Sequence, residues 1–143
     1  VGLRGAQAST LEIQPDFSFG LDTTIAFDTP GAKPQEQCTR LGEGVAIKIM
    51  DSSVICDQRM VAFMKTVADE KKIEWQPEIL RAGGTDTASL QRMTPGGSIA
   101  GAVSLPTRHI HQVIEMCNKH DVAEAIKLLA ACLCGLDKYD WEF

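Results

Sequence analysis

No stretch of this 143-residue chain stays apolar for the roughly 20 residues that cross a bilayer, and no charged-then-apolar secretion signal opens it. An excess of positive charge is also missing. Lys and Arg number 14 against 19 Asp and Glu, a formal net charge of -5, so neither a nucleic-acid footprint nor an anionic-membrane surface is expected. The cysteines lack pattern: Cys38, Cys56, Cys117, Cys132 and Cys134 are odd in number and show neither disulfide-scaffold nor zinc-ribbon spacing. They read as small buried hydrophobes in a soluble, cytoplasmic protein. Repeats, linkers and low-complexity tracts are absent, which leaves a single domain over 1–143. An initiator Met is missing too, and Val1-Gly2-Leu3-Arg4 reads as a start inside a domain.

What is present suits a globular α/β chain. Hydrophobic residues make up 44% and charged residues 23%, enough for one core. Leu3–Glu12 has helix-compatible residues closed by Pro15, and Phe17–Leu21 and Thr24–Phe27 read as strands joined at Asp22. Val45–Met50 is a cleaner strand. From Gln58 to Lys72, Met60, Phe63, Met64 and Val67 recur at helical spacing behind Asp57 as cap. A strand at Glu74–Leu80, a helix at Asp86–Met93 and a buried strand at Ser98–Leu105, stopped by Pro106, follow. The last helix opens on Asp121 and Glu124 as a capping box. It carries Val122, Ala125, Ile126, Leu129 and Leu133 as its core stripe, with Gly135 as stop. Tyr139, Trp141 and Phe143 form a tail able to dock on the body or on a partner. The order implies a mixed central sheet with helices on both faces.

Chemistry in such a frame gathers beyond the carboxyl ends of strands. Asp22, Asp28, Asp86, His109 and His111 fall in predicted loops there. Carboxylates and imidazoles from separate loops are the usual zinc donors. Each Asp also reads as a turn former, and for Asp28 in DTPG that reading is the better one.

Four strings, in one order, cover nearly the whole chain: VGLRGA, DTTIAFDTPG, RAGGTDTASLQ and SLPTRHIH. Together they resemble the catalytic domain of the tetrahedral aminopeptidases, the deblocking or glutamyl aminopeptidases whose members are often labelled endoglucanases. The resemblance implies two divalent metal ions, zinc or cobalt, that activate water for peptide hydrolysis. It assigns metal ligation to Asp22 and His111, and a substrate-pocket role to Gly83, Gly84, Thr85 and Asp86. His109 stands where the family has Tyr, and Gln112-Val113 replaces Ser-Pro.

The resemblance also implies what this chain does not contain. The family's general-base Glu and an adjoining ligand Glu precede VGLRGA, so they fall upstream of Val1, with further ligands beyond. No catalytic residue is therefore expected here. The expectation is a carboxyl-terminal portion of a metallo-aminopeptidase, inactive alone and holding no metal tightly. Peptide is the expected substrate, and homo-oligomers, dodecamers in the family, the expected assembly. The alternatives are a non-catalytic binding module or degenerate family member and, on the old labels alone, a glycosidase with Asp22 and Asp28 as its carboxylates.

Overall fold

The computed structural model describes residues 2–142, which leaves Val1 and Phe143 of the expectations above outside the described residues. The elements are α1 (Arg4–Ile13), β1 (Phe17–Ile25), β2 (Val45–Met50), α2 (Gln58–Lys71), β3 (Trp75–Ile79), α3 (Thr87–Arg92), β4 (Ile99–Arg108), β5 (Met116–Cys117) and α4 (Lys119–Leu133). The sheet runs β1-β4-β2-β3, with β5 added to β4. β1 and β4 are parallel, β2 and β3 are parallel, and β2 meets β4 antiparallel. This is the expected mixed sheet.

Two glycines show which helix covers which face. Neighbouring strand residues point to opposite faces, and Gly101 pairs with Phe19 while Gly20 pairs with Ala102. A Cβ on Gly101 would lie 2.5 Å from Met60 Cγ, so α2 presses on that face. A Cβ on Gly20 would lie 2.0 Å from Thr87 Oγ1, so α3 presses on the other. The α2 face is the dry one: Val45, Ile47 and Val103 pack there with Met60, Phe63, Met64 and Leu128. The α3 face carries Ser18, Asp22, Thr24, Ser104, Lys48, Gln76 and Glu78, by the same register.

Local signals explain most boundaries. The Asp57 carboxylate accepts the Arg59 N–H at 2.9 Å and caps α2 as expected. Tyr139 and Trp141 do dock, packing at a tilt against Phe63 with centroids 4.9 and 5.1 Å away.

Several expectations change. The two strands about Asp22 are one continuous β1, so Asp22 is inside a strand. β4 runs through Pro106 to Arg108. The Thr107 carbonyl accepts from Ala26 on the β1 side, which turns Pro106 to the other side, between the β2 and β5 pairings. There a missing N–H costs nothing.

α4 is turned from its expected stripe: Asp121, Glu124, Leu128 and Cys132 are buried, while Ile126 and Leu133 are exposed. Asn118 is its cap, accepting from the His120 N–H. The Asp121 carboxylate instead holds the Gly42 and Gly44 amides at 2.8 and 3.0 Å, and Glu124 takes the Glu74 N–H at 2.9 Å. Polar side chains, not the apolar stripe, set the helix's rotation.

Of the cysteines only Cys56 and Cys132 are buried; Cys38 is partly so, and Cys117 and Cys134 are exposed. Desolvation pushes the Cys56 and Cys132 thiols up to about 12. A chromogenic disulfide reagent at pH 8 is therefore expected to label Cys117 and Cys134 quickly, and Cys56 and Cys132 only after unfolding. Rapid labelling of all five in the folded protein would contradict this core.

Candidate active site

β1 brings Asp22 to the polar face of the sheet, level with Ser104 of β4. Its side chain is exposed, and Oδ1 accepts the Thr23 N–H at 2.8 Å. The loop 83–86 reaches the same face because α3 seats Thr87 against the bare Cα of Gly20, two residues before Asp22. Gly83, at φ 76, uses the conformational freedom of glycine, and its carbonyl accepts from the Ser52 hydroxyl. A Cβ on Gly84 would stand 2.8 Å from Ser53 Oγ, so the loop lies close against the turn after β2.

Thr85 and Asp86 separate in role. Thr85 is buried and donates to Asp51 Oδ2 at 3.0 Å. Asp86 is exposed, makes no capping bond to α3, and lines an open cleft of about 550 Å³ with Leu3, Arg4, Gly5 and Ala6.

His111 sits on the turn between β4 and β5, exposed, in the left-handed region at φ 64. Its N–H donates to Glu115 Oε1 at 2.7 Å. The turn lies past the end of β4, three residues beyond Arg108, whereas Asp22 lies three residues before the end of β1. His109 is exposed beside it.

Asp28 is structural. It accepts Arg108 Nε at 2.6 Å, Arg108 Nη2 at 3.0 Å and the Leu41 N–H at 2.9 Å, which ties β4 to the turn after β1. The Arg108 guanidinium holds its carboxyl below the usual 3.8, burial opposing. Arg59 does the same for Asp57, and Lys127 for Glu124. Carboxyls lowered in the folded state favour folding above their unfolded pKa, and that contribution disappears as pH falls through the folded values. Stability should hold from neutrality to about pH 5 and fall below about pH 4. Asp28→Asn should flatten part of that acid limb in urea titrations across pH.

One group of site-adjacent residues escaped the motifs. Lys48, Glu78 and Asp51 are buried between the sheet and this loop. Lys48 Nζ pairs with Glu78 Oε1 and lies 3.6 Å from Asp51 Oδ2. Burial raises the Asp51 carboxyl, but hydrogen bonds from Ser53 and Thr85 and the charge of Lys48 outweigh it and hold the group low. Glu78 Oε2, Ser104 Oγ and Thr87 Oγ1 are buried there without a partner among the described residues. A lysine in the middle of the apolar run VAIKIM was the available signal.

The comparisons with known proteins decide the family. Residues 1–128 match the family model described as M42 glutamyl aminopeptidase. The chain belongs to that family. A putative aminopeptidase of Acetivibrio thermocellus is 40% identical over 134 residues, which is 94% of this chain and 40% of that protein. Among solved structures, an aminopeptidase of the archaeon Desulfurococcus kamchatkensis superposes with a TM-score of 0.87 at 36% identity, over 92% of this chain and 37% of that one. The TET1 peptidase of Pyrococcus horikoshii, described as able to assemble into a tetrahedron or a large octahedral shell, gives 0.78 at 27% identity, over 92% and 37%. The M42 chain thus spans about 40% of the length of this curated relative.

M42 membership puts a metal centre in question, and the donor set can be tested against it. One carboxylate and one imidazole have the right chemistry for zinc or cobalt. They fall short of the three protein ligands of a catalytic zinc. Among the described residues no group of three or more His, Cys, Asp or Glu could hold a metal ion. The residues of the M42 chain do not by themselves complete a two-metal centre.

Proposed function

We propose that this chain is a carboxyl-terminal portion of the catalytic domain of a metal-dependent aminopeptidase that removes amino-terminal residues from peptides. The observation that carries the proposal is the match of 94% of this chain to 40% of a relative called an aminopeptidase. In this reading Asp22 and His111 are metal ligands, for zinc or cobalt, and Gly83, Gly84, Thr85 and Asp86 shape the substrate pocket. The general base and the remaining ligands come from outside these 143 residues, so the chain alone is inactive and holds metal weakly. In this reading its place of work is the cytoplasm.

Homo-oligomerisation belongs to the same reading. β1 lies at one end of the strand order, contains neither Pro nor Lys, and exposes Leu21. Such an edge is prepared to pair with another strand, from the rest of the same domain or from a second copy. The tetrahedral assembly described for the Pyrococcus horikoshii relative supports a homo-oligomer.

The test combines intact mass, metal analysis and equilibrium dialysis against Zn²⁺. These 143 residues alone, with a mass of 15.5 kDa, are expected to retain little metal. At high Zn²⁺ the weak binding should disappear in Asp22→Ala and in His111→Ala but persist in His109→Ala, with no hydrolysis of aminoacyl anilides by any of them. Binding indifferent to both substitutions would remove these residues from the site.

A further inference from the structure

We propose that the buried trio Lys48, Glu78 and Asp51 is a positioning network that couples the strand carrying Asp22 to the loop 83–86. An unbroken chain of polar contacts runs between them. The Thr24 hydroxyl, two residues after Asp22 on the same face, donates to Glu78 Oε1 at 2.6 Å. Lys48 Nζ pairs with that same oxygen. Lys48 is also 3.6 Å from Asp51 Oδ2, and that oxygen accepts the Thr85 hydroxyl at 3.0 Å. Asp51 Oδ1 adds the Ser53 hydroxyl at 2.7 Å, beneath Gly84.

Lys48 and Glu78 are fully buried and Asp51 nearly so. In a low-dielectric interior such a chain is strong when complete and costly when broken. A buried ion pair is weak evidence for stability as such, because desolvation offsets its attraction. Its use here is geometric: Thr24 and Thr85 sit on separate elements, β1 and the loop before α3, and the lysine joins both through one carboxylate each. The ligand strand and the pocket loop therefore keep a fixed relative position.

The inference rests on the reading of Asp22 and the loop as one site, but its test needs neither metal nor substrate. Thr24→Val and Thr85→Val remove one hydroxyl at each end with little change of shape. In a double-mutant cycle on the unfolding equilibrium constant, the two effects should depart from a simple product by about threefold or more. Amide exchange across 85–90 should quicken in Thr24→Val, and across 22–26 in Thr85→Val. Thr24→Ser and Thr85→Ser, which keep the hydroxyls, should restore both. Multiplicative effects, with exchange altered only in each variant's own element, would overturn the coupling. Failure of the metal dialysis described above would remove the functional reading and leave this result standing.

Discussion

Lys48→Met is expected to lower the unfolding free energy by about 3–5 kcal/mol, the cost of removing one partner from a buried ion pair. Methionine nearly matches the lysine stem in volume, so packing against the sheet changes little. What changes is charge. Among the described residues Glu78 then keeps the Thr24 hydroxyl as its donor, and Oε2 has no partner. Asp51 keeps the Ser53 and Thr85 bonds and is the less affected. A second change, Glu78→Gln, made on top of Lys48→Met, should recover part of the loss, because the stranded carboxylate is gone. Urea denaturation measures both. A loss under about 1 kcal/mol for Lys48→Met would mean that the carboxylates reach water or take up a proton without penalty.

Gly44→Ala should cost a similar amount for an unrelated reason. Gly44 has φ +89, and a Cβ there would stand 2.1 Å from the Glu74 carbonyl oxygen and 2.8 Å from Trp75 N. Both atoms are backbone, so no side chain can swing aside. The methyl group would push apart the starts of β2 and β3, where Val45 N–H donates to the Glu74 carbonyl at 3.1 Å. Left-handed backbone alone costs an L-residue about 1–2 kcal/mol, and overpacking adds about 1–3 kcal/mol. Gly31→Ala separates the two contributions: its φ is +90, but beyond its chain neighbours no atom of the described residues lies within 4 Å of the added Cβ. It should lose only the first, and thermal unfolding of the pair should show Gly44→Ala clearly the worse. Equal losses would mean that the strands yield to the methyl group.

Most of the elements were legible because their signals are local. Asp57 before a run of Met60, Phe63, Met64 and Val67 specifies α2 with no help from the rest of the chain. The errors came where distant residues decide. Nothing near Asp22 says that β1 continues past it; pairing with β4 from Phe17 to Ile25 does. The apolar stripe of α4 looked like its core face, yet the amides of Gly42 and Gly44 and of Glu74 claim Asp121 and Glu124 and turn the helix. For the site, the reading of Asp22, His111 and the GGTD loop rests on resemblance to a family, since one Asp and one His carry no spacing signal of their own. The trio behind them was missed because Lys48, Asp51 and Glu78 acquire meaning only through cross-strand register.

That register also has a consequence for folding. The sheet has an oily side and a wet side, and adjacent residues alternate between them. Were β2 to slide by a single residue, Lys48 would be driven into Met60, Phe63 and Met64, while Ile47 would face Glu78. Neither residue could tolerate the exchange. The lysine thus acts as a key cut for one lock, and rejects the misaligned sheets that a purely aliphatic strand would accept.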